Sequence, residues 1–193
     1  LDALKSYIVS QEGKNNYMPT DDELLNGFNN SKLVNKQTLG ILYMIESKIR
    51  DRTRYSTSLL GMSNYSLEHI MPKKWPNKWP SCESEEERLY RNRKLLTLGN
   101  LAIITTSLNS SIRDASWLDK KEGVGNKKGL IQFASGLDTF SDYLNKEVWD
   151  ESVIEERALF LFRKAKEIWS VLKLFSLRSF FLFIPAILTS VYR

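Results

Sequence analysis

The segment 66–72, Ser-Leu-Glu-His-Ile-Met-Pro, constrains the fold of this chain more than any other segment. It contains the only histidine, His69, directly after Glu68 and three residues before Pro72. Neighbouring side chains of an extended strand point to opposite faces, so Glu68 and His69 can flank one reaction centre only where a strand ends or bends. Pro72 favours such an end, because proline has no backbone N–H to continue a ladder. The alternative is a surface ion pair.

A second segment, residues 98–109, predicts a turn, a strand and the start of a helix. Gly99-Asn100 is a turn dipeptide, and the apolar, β-branched run 101–106 has the length of a strand. Asn109 suits the N-cap of the helix that follows. Asn100 and Asn109 bracket the strand, and an asparagine side chain offers a carbonyl oxygen that suits a hard divalent cation.

These residues resemble the His-Asn-His (HNH, or ββα-metal) endonuclease motif. The variety they resemble most is the C-terminal nuclease domain of GmrSD-type modification-dependent restriction enzymes. The HNH domain of CRISPR RNA-guided nucleases shows the same order, Asp/Glu-His-Ile-x-Pro, with a similar gap between its two asparagines. The resemblance covers roughly residues 15–170, since segment 17–23 resembles the upstream helix start of the family. The residues that resemble its closing helix are Trp149, Ile154, Arg157, Ala165 and Trp169.

The resemblance implies a role for each motif residue. His69 would be the general base that takes a proton from the water attacking a phosphodiester. Glu68 and Asn109 would bind one Mg²⁺ or Mn²⁺, since these ions prefer oxygen ligands and keep several waters. Asn100 would brace the loop or orient His69. Asn109 occupies the third motif position, where the motif name gives a second histidine. An asparagine at this position suits Mg²⁺ better than Zn²⁺.

Non-catalytic roles are alternatives for three of these residues. Glu68 is also compatible with an exposed carboxylate at a strand end. Asn100 is also compatible with a structural role alone, and Asn109 with a helix cap.

The net charge of +5 and the pI of about 9.2 permit a polyanionic partner such as DNA without requiring one. Arg88 follows an acidic run and is expected to pair within its own helix. Trp75 and Trp79 are expected to pack in a loop rather than stack on bases. The candidate contacts to the DNA backbone are Lys73, Lys74, Arg113, Lys120 and Lys121.

One cysteine, Cys82, and one histidine exclude an intramolecular disulfide and a four-ligand structural zinc site within the chain. No secretory signal opens the sequence, and the chain starts at Leu1, so we expect a fragment of a cytoplasmic protein. No Gly-rich phosphate loop appears in it. The resemblance therefore implies an N-terminal DNA-sensing NTPase domain outside this chain, and cleavage of modified or foreign DNA in defence against phage.

The expected fold class is α+β and mostly helical, with a small ββα-metal hairpin-plus-helix motif embedded in a helical domain. Thr20 and Glu23 form a capping-box pattern that predicts a helix start. The other predicted helices are residues 35–54, 84–94, 113–122 as part of the helix after Asn109, one from Leu130 within 127–144, and 150–172.

We expect a helical lead-in at residues 1–60, a nuclease core with its closing helix at 61–171, and an apolar tail at 172–193. A spanning helix needs about 20 apolar residues, and charged residues and Pro185 interrupt the tail. A packed or partner-binding helix is therefore favoured over a membrane anchor. The sequence favours a metal-dependent DNA endonuclease domain. The alternative function is a catalytically silent DNA-binding or assembly module of the same fold.

Overall fold

The computed structural model of the chain describes residues 19–50, 59–132 and 138–172. These residues form a mostly helical α+β fold, which confirms the predicted fold class. The helices are α1 (Asp21–Asn30), α2 (Asn35–Ile49), α3 (Glu85–Lys94), α4 (Thr106–Ile112), α5 (Trp117–Glu122) and α6 (Glu151–Leu172). The strands are β1 (Tyr65–His69), β2 (Leu101–Thr105), β3 (Gly123–Val124) and β4 (Lys127–Lys128). Short 3₁₀ turns cover Met62–Asn64, Trp75–Asn77, Leu98–Asn100, Leu130–Gln132 and Ser141–Asn145.

A central antiparallel hairpin pairs β1 with β2, although the two strands are far apart in sequence. Tyr65 lies opposite Thr105, and His69 lies opposite Leu101. Side chains alternate along each strand, so the two faces of the hairpin pack against different residues. Leu101 belongs to a core shared with α1, α2 and α6, whereas Ala102 belongs to a second core. The hairpin therefore separates two apolar cores.

Local sequence signals set the starts of two helices. The Thr20 hydroxyl accepts a 3.2 Å hydrogen bond from the backbone N–H of Glu23, and the Glu23 carboxylate accepts one of 2.8 Å from the N–H of Thr20. This confirms the predicted capping box. Ser84 caps α3 by accepting a hydrogen bond from the N–H of Glu87. Arg88 pairs with a glutamate one turn earlier, as predicted.

The closing helix α6 begins one residue after its predicted start. Trp149 lies just before it and is buried, as are Ile154, Arg157 and Ala165 within it. Their spacing gives α6 a buried face that contacts α1, α2 and the turn Leu98–Asn100. The side chain of Trp169 lies outside the described part of the chain.

The predicted continuous helix through residues 113–122 is wrong. Helix α4 ends at Ile112, where Arg113 adopts a positive φ of 35°, which few non-glycine residues adopt. Ser116 then caps α5 by accepting a hydrogen bond from the N–H of Asp119. The pattern Ser-x-x-Asp at 116–119 is a helix-start signal that a reading based on helical spacing alone overlooks.

The predicted helix from Leu130 is also wrong where the structure describes it, since residues 130–132 and 141–145 form 3₁₀ turns, and residues 133–137 lie outside the described part. The chain instead forms the small hairpin β3–β4, followed by 3₁₀ turns. Gly125-Asn126 lies between the two strands, and this dipeptide is one that favours a two-residue hairpin loop. Gly125 has a φ of 59°, a conformation open to glycine at little cost.

Helix α2 ends at Ile49 rather than at residue 54. Residues 51–58 lie outside the described residues, as do 1–18, 133–137 and the tail from 173. Within the described ranges, no helix combines the length and apolarity that crossing a membrane requires. The division at residues 60 and 171 stays a prediction.

Candidate active site

Strand β1 ends at His69, and Asn100 binds the backbone N–H groups of the next two residues. The N–H of Ile70 donates a 3.0 Å hydrogen bond to the Asn100 carbonyl, which continues the ladder. The N–H of Met71 donates a 2.9 Å bond to the side-chain Oδ1 of Asn100 instead of to a backbone carbonyl. The chain therefore leaves the sheet one residue before Pro72. The predicted strand end after Glu68 and His69 is confirmed.

The Asn100 amide is fully buried and makes four hydrogen bonds. Its Oδ1 accepts from the Met71 N–H and from the Trp149 indole N–H, at 2.9 and 3.0 Å. Its Nδ2 donates to the carbonyls of Met71 and Leu95, at 2.9 and 3.0 Å. A primary amide has two donors and two acceptor positions, so none remains for the His69 ring. This geometry favours the bracing role of Asn100 over a role in orienting His69.

Glu68 faces a buried lysine. The Lys120 ammonium forms an ion pair with Glu68 Oε1 and donates a 2.8 Å hydrogen bond to the backbone carbonyl of His69. Lys120 is 0% exposed and Glu68 is 7% exposed. The expectation that Lys120 contacts the DNA backbone is therefore wrong, because its ammonium is buried and already paired. The alternative that Glu68 is an exposed carboxylate is excluded as well.

Burial dominates the electrostatics of this pair. It raises the pKa of the Glu68 carboxyl, and the adjacent Lys120 ammonium offsets part of that rise. Burial likewise lowers the pKa of Lys120, and Glu68 opposes that change. Removing either partner would leave the other as a buried charge without compensation, which is strongly unfavourable.

His69 is half-buried at the end of β1. Burial lowers the pKa of its imidazole to about 4, and the positive charges of Lys73 and Lys120 contribute to that decrease. The ring is therefore neutral near pH 7. Within the described ranges, its nitrogens form no hydrogen bond. A neutral imidazole with a free nitrogen can accept a proton from a water molecule.

Asn109 is held against β1 by its side chain. Its Nδ2 donates hydrogen bonds to Ser66 Oγ at 2.9 Å and to the carbonyl of Leu67 at 3.3 Å. Thr105 caps α4, so Asn109 lies within the helix and the alternative of a helix cap is excluded. Both contacts use Nδ2. The Oδ1 of Asn109 accepts no hydrogen bond from the described residues. It therefore remains available as a metal ligand, and the Asn109 amide contacts β1 at Leu67, the residue before Glu68.

The other predicted DNA contacts differ in exposure. Lys73, Lys74 and Arg113 are exposed, and Lys73 lies close enough to His69 to affect its pKa. Lys121 is half-buried, with its ammonium 3.4 Å from the carbonyl of Lys146. Lys73 and Lys74 are therefore available to a ligand at the surface, and so is the exposed Arg113 guanidinium, of which only Nε is bonded to a described residue, at 3.0 Å to the carbonyl of Ser110. Lys121 is the least accessible of the four.

Trp75 and Trp79 are buried in the loop after Pro72, as predicted. Their indole N–H groups donate hydrogen bonds to the Asn92 side chain and to the carbonyl of Ala115, at 3.0 and 3.1 Å. Both rings therefore pack within the protein, and neither is available to stack on a base.

Three residues that sequence reasoning did not select lie near this site. Asp114 is exposed, and its negative charge raises the pKa values of both Glu68 and Lys120. Lys127 and Lys128 are exposed on the β3–β4 hairpin, which contacts α4. The Ser111 hydroxyl donates a 3.4 Å hydrogen bond to the carbonyl of Lys128. The Gly-Asn turn signal was sufficient to find the hairpin, but no local signal indicates Asp114.

The donor atoms at this strand end suit a hard cation more than a soft one. No group of three or more His, Cys, Asp or Glu side chains among the described residues is placed to hold a metal ion. A cation at this position would depend on the Glu68 carboxylate and on neutral oxygens such as Asn109 Oδ1. Magnesium tolerates so small a protein ligand set, because it keeps most of its waters.

Comparison with known proteins finds one family similar to this chain. A family model described as the C-terminal domain of GmrSD restriction endonucleases matches residues 18–164. No curated protein and no solved structure matches the chain. The match spans most of the sequence and includes the β1–β2 hairpin, α4 and most of α6. The chain therefore belongs to the family of GmrSD restriction endonuclease C-terminal domains.

Proposed function

We propose that this domain is a metal-dependent DNA endonuclease of the HNH type, which hydrolyses phosphodiester bonds. Its membership of a restriction endonuclease family supports a nuclease role. The HNH assignment rests on one structural observation: the antiparallel β1–β2 hairpin leads directly into α4, and Asn109 of α4 is bonded to the carbonyl that precedes Glu68. A hairpin, a helix and their facing polar residues form the arrangement that the motif requires.

His69 is the general base in this proposal. Its pKa of about 4 leaves the imidazole neutral near pH 7, so it can accept a proton from the attacking water. Its position at the end of β1 leaves it half-buried rather than enclosed, so a phosphodiester can approach. Asn100 is a positioning residue, because its four hydrogen bonds fix the backbone just after His69.

Glu68 and Asn109 fit a Mg²⁺ or Mn²⁺ ion through their oxygen atoms. The Lys120 contact uses Glu68 Oε1, so we propose Oε2 as the oxygen that faces the ion. Asn109 contributes Oδ1, since its Nδ2 is bonded to β1. When bound, the metal supplies positive charge that stabilises the leaving 3′ oxygen.

The DNA backbone is contacted by exposed basic side chains around this strand end. Lys73, Lys74 and Arg113 fit this role, and we add the exposed hairpin residues Lys127 and Lys128. All five are free of ion pairs to other described residues. Such contacts position the duplex and carry no sequence information.

We propose that a nucleotide-hydrolysing, DNA-sensing domain elsewhere in the full protein directs cleavage to modified or foreign DNA. In this proposal the protein acts in the cytoplasm, in defence against phage. Family membership supports the restriction context, since the matched description is of restriction endonucleases. The exposed basic side chains around His69 support direct contact between this domain and DNA.

A catalytically silent DNA-binding or assembly module is the second candidate. One observation favours it: Lys120 already supplies a positive charge to Glu68, so the carboxylate is satisfied without a metal ion. The half-buried, neutral His69 favours catalysis, because a module that only binds DNA has no use for a free imidazole.

Nicking of supercoiled plasmid with Mg²⁺, with Mn²⁺ and with EDTA distinguishes the two candidates. The proposal predicts cleavage that EDTA abolishes and a decrease of about 10²- to 10⁴-fold in rate for His69→Ala. Asn109→Ala should also lose cleavage, whereas the matched control Asn26→Ala, an exposed asparagine on α1, should retain it. Metal-dependent cleavage that persists in His69→Ala would rule out the general-base assignment, and DNA binding without cleavage would favour the silent module.

A further inference from the structure

Lys120 is a cation that the fold itself places at the strand end. Helix α5 positions it, since Ser116 caps this helix and Trp117 is buried in the core beneath it. Its ammonium contacts both candidate site residues at the end of β1, through the Glu68 carboxylate and the His69 backbone carbonyl. An exposed lysine would lose the conformational entropy of several rotatable bonds to make these contacts, but here packing already restricts the side chain.

A second buried lysine shows what a purely structural lysine looks like in this chain. Lys94 is 4% exposed, and its ammonium donates 3.1 Å hydrogen bonds to the Asn29 carbonyl and to Asn30 Oδ1. Its carboxylate partner, Glu155, is 2.7 Å away with a side chain that is 44% exposed. Water can therefore stabilise Glu155 without Lys94. The Glu68 side chain is only 9% exposed, so it depends on Lys120 for its counter-charge.

We propose that Lys120 is a positioning residue that acts as the resident cation of the site: it holds the Glu68 carboxylate in place and weakens divalent-cation binding to that same carboxylate. This inference rests on the proposed function and extends it to the control of metal occupancy. A divalent ion at Glu68 meets the ammonium charge at short range, where little water screens their repulsion. The site therefore binds its metal less tightly than its oxygen ligands alone would allow.

Lys120→Gln isolates the charge from the hydrogen bonds. Glutamine keeps an NH₂ donor that can reach toward Glu68 and the His69 carbonyl, but it carries no positive charge. Without the ammonium, the buried carboxylate lacks a counter-charge, and a divalent ion becomes the group that can supply one. Metal affinity should consequently increase, which a merely structural lysine would not cause.

Binding of Mn²⁺, followed through the electron paramagnetic resonance signal of the free ion, tests this in the full chain without DNA. Lys120→Gln should bind Mn²⁺ at least about tenfold more tightly than the wild type, because the loss of a short-range like charge favours the ion. The matched control Lys94→Gln should bind Mn²⁺ as the wild type does. Equal or weaker binding by Lys120→Gln would overturn the inference.

The other outcomes are also decisive. If Lys120→Gln unfolds without metal, the inference requires that Mn²⁺ restore its circular dichroism spectrum, because the ion replaces the missing charge; a variant that Mn²⁺ does not refold contradicts it. If the wild type binds Mn²⁺ and nicks DNA but Lys120→Gln shows no gain in affinity, only this inference fails. If neither protein binds Mn²⁺, the metal-dependent function fails with it.

Discussion

The indole N–H of Trp149 donates a 3.0 Å hydrogen bond to Oδ1 of Asn100, the same oxygen that accepts the N–H of Met71. One side-chain oxygen thus joins Trp149, two residues before the closing helix α6, to the backbone that follows His69. The same amide also binds the carbonyl of Leu95. The position of the strand end that carries the candidate active site therefore depends on contacts with residues far away in the sequence.

Asn100→Ala should lower the free energy of unfolding by about 3 kcal/mol. The substitution leaves the backbone N–H of Met71, the indole N–H of Trp149 and the carbonyls of Met71 and Leu95 buried without these partners. Urea denaturation followed by circular dichroism measures the change. Asn26→Ala, on the exposed face of α1, is the control and should change stability by less than about 0.5 kcal/mol. A loss below about 1 kcal/mol for Asn100→Ala would show that the amide does not brace the site.

Gly99→Ala should destabilise the protein by about 3 kcal/mol, although Gly99 has no unusual backbone conformation. A Cβ atom at this position would lie 2.0 Å from the backbone carbonyl oxygen of Ile154 in α6, and backbone cannot move aside as a flexible side chain can. Gly61→Ala is the matched control, since its Cβ would come no closer than 3.6 Å to any atom. Thermal denaturation of both variants should show a large decrease in Tm for Gly99→Ala alone. Similar Tm values for the two variants would mean that α6 can shift away from this turn.

The parts of the fold that sequence reasoning predicted correctly are those with local causes. The capping box of Thr20 and Glu23 acts within one turn, and the β-branched run of β2 is recognisable by its composition. The end of β1 was predicted for a local reason, Pro72, but the structure adds the distant Asn100 side chain as the group that ends the ladder.

The Lys120–Glu68 pair shows what local reasoning could not predict. The two residues are 52 positions apart, and charge alone indicated that Lys120 was a surface contact to DNA. Its burial follows from the break at Arg113, which ends α4, and from the new helix α5 capped by Ser116, in which Lys120 contacts β1. A continuous helix through residue 122 would have placed it elsewhere. Side chains that cross between elements in this way depend on the tertiary fold, which helical spacing does not describe.

Lys127→Gln combined with Lys128→Gln should weaken DNA binding and lower its dependence on salt. Each phosphate contact adds roughly 0.9 to the slope of log affinity against log salt, so losing both should reduce the slope by about 2. Fluorescence anisotropy with a duplex in EDTA, between about 50 and 200 mM salt, measures it. The control removes the same charge from two exposed residues of α2, Lys36→Gln with Lys48→Gln, and should leave the slope almost unchanged. Equal slopes for the two double variants would exclude the β3–β4 hairpin from the DNA interface.

Glu46 should make the protein less stable as pH rises. It is fully buried in α2 and accepts hydrogen bonds of 2.9 and 2.8 Å from the N–H groups of Asp138 and Thr139. Burial raises the pKa of this carboxyl above its ordinary value of 4.5; the backbone hydrogen bonds oppose that rise, and the negative charge of Asp138 adds to it. The positive charge of Arg157 also faces Glu46, since the two interact electrostatically.

The pKa of Glu46 is higher in the folded than in the unfolded state, so the folded state binds more protons at pH values between these two pKa values. The free energy of unfolding therefore falls as pH rises through that range. The stability of the wild type relative to Glu46→Gln should therefore decrease from about pH 4.5 upward and level off above the folded pKa. Urea denaturation of both proteins at several pH values measures this difference, in which the titration of other groups cancels. Glu86→Gln, an exposed carboxylate on α3, should show no such trend. A difference that stays constant, or grows with pH, would mean that the two backbone hydrogen bonds outweigh the cost of burying the charge.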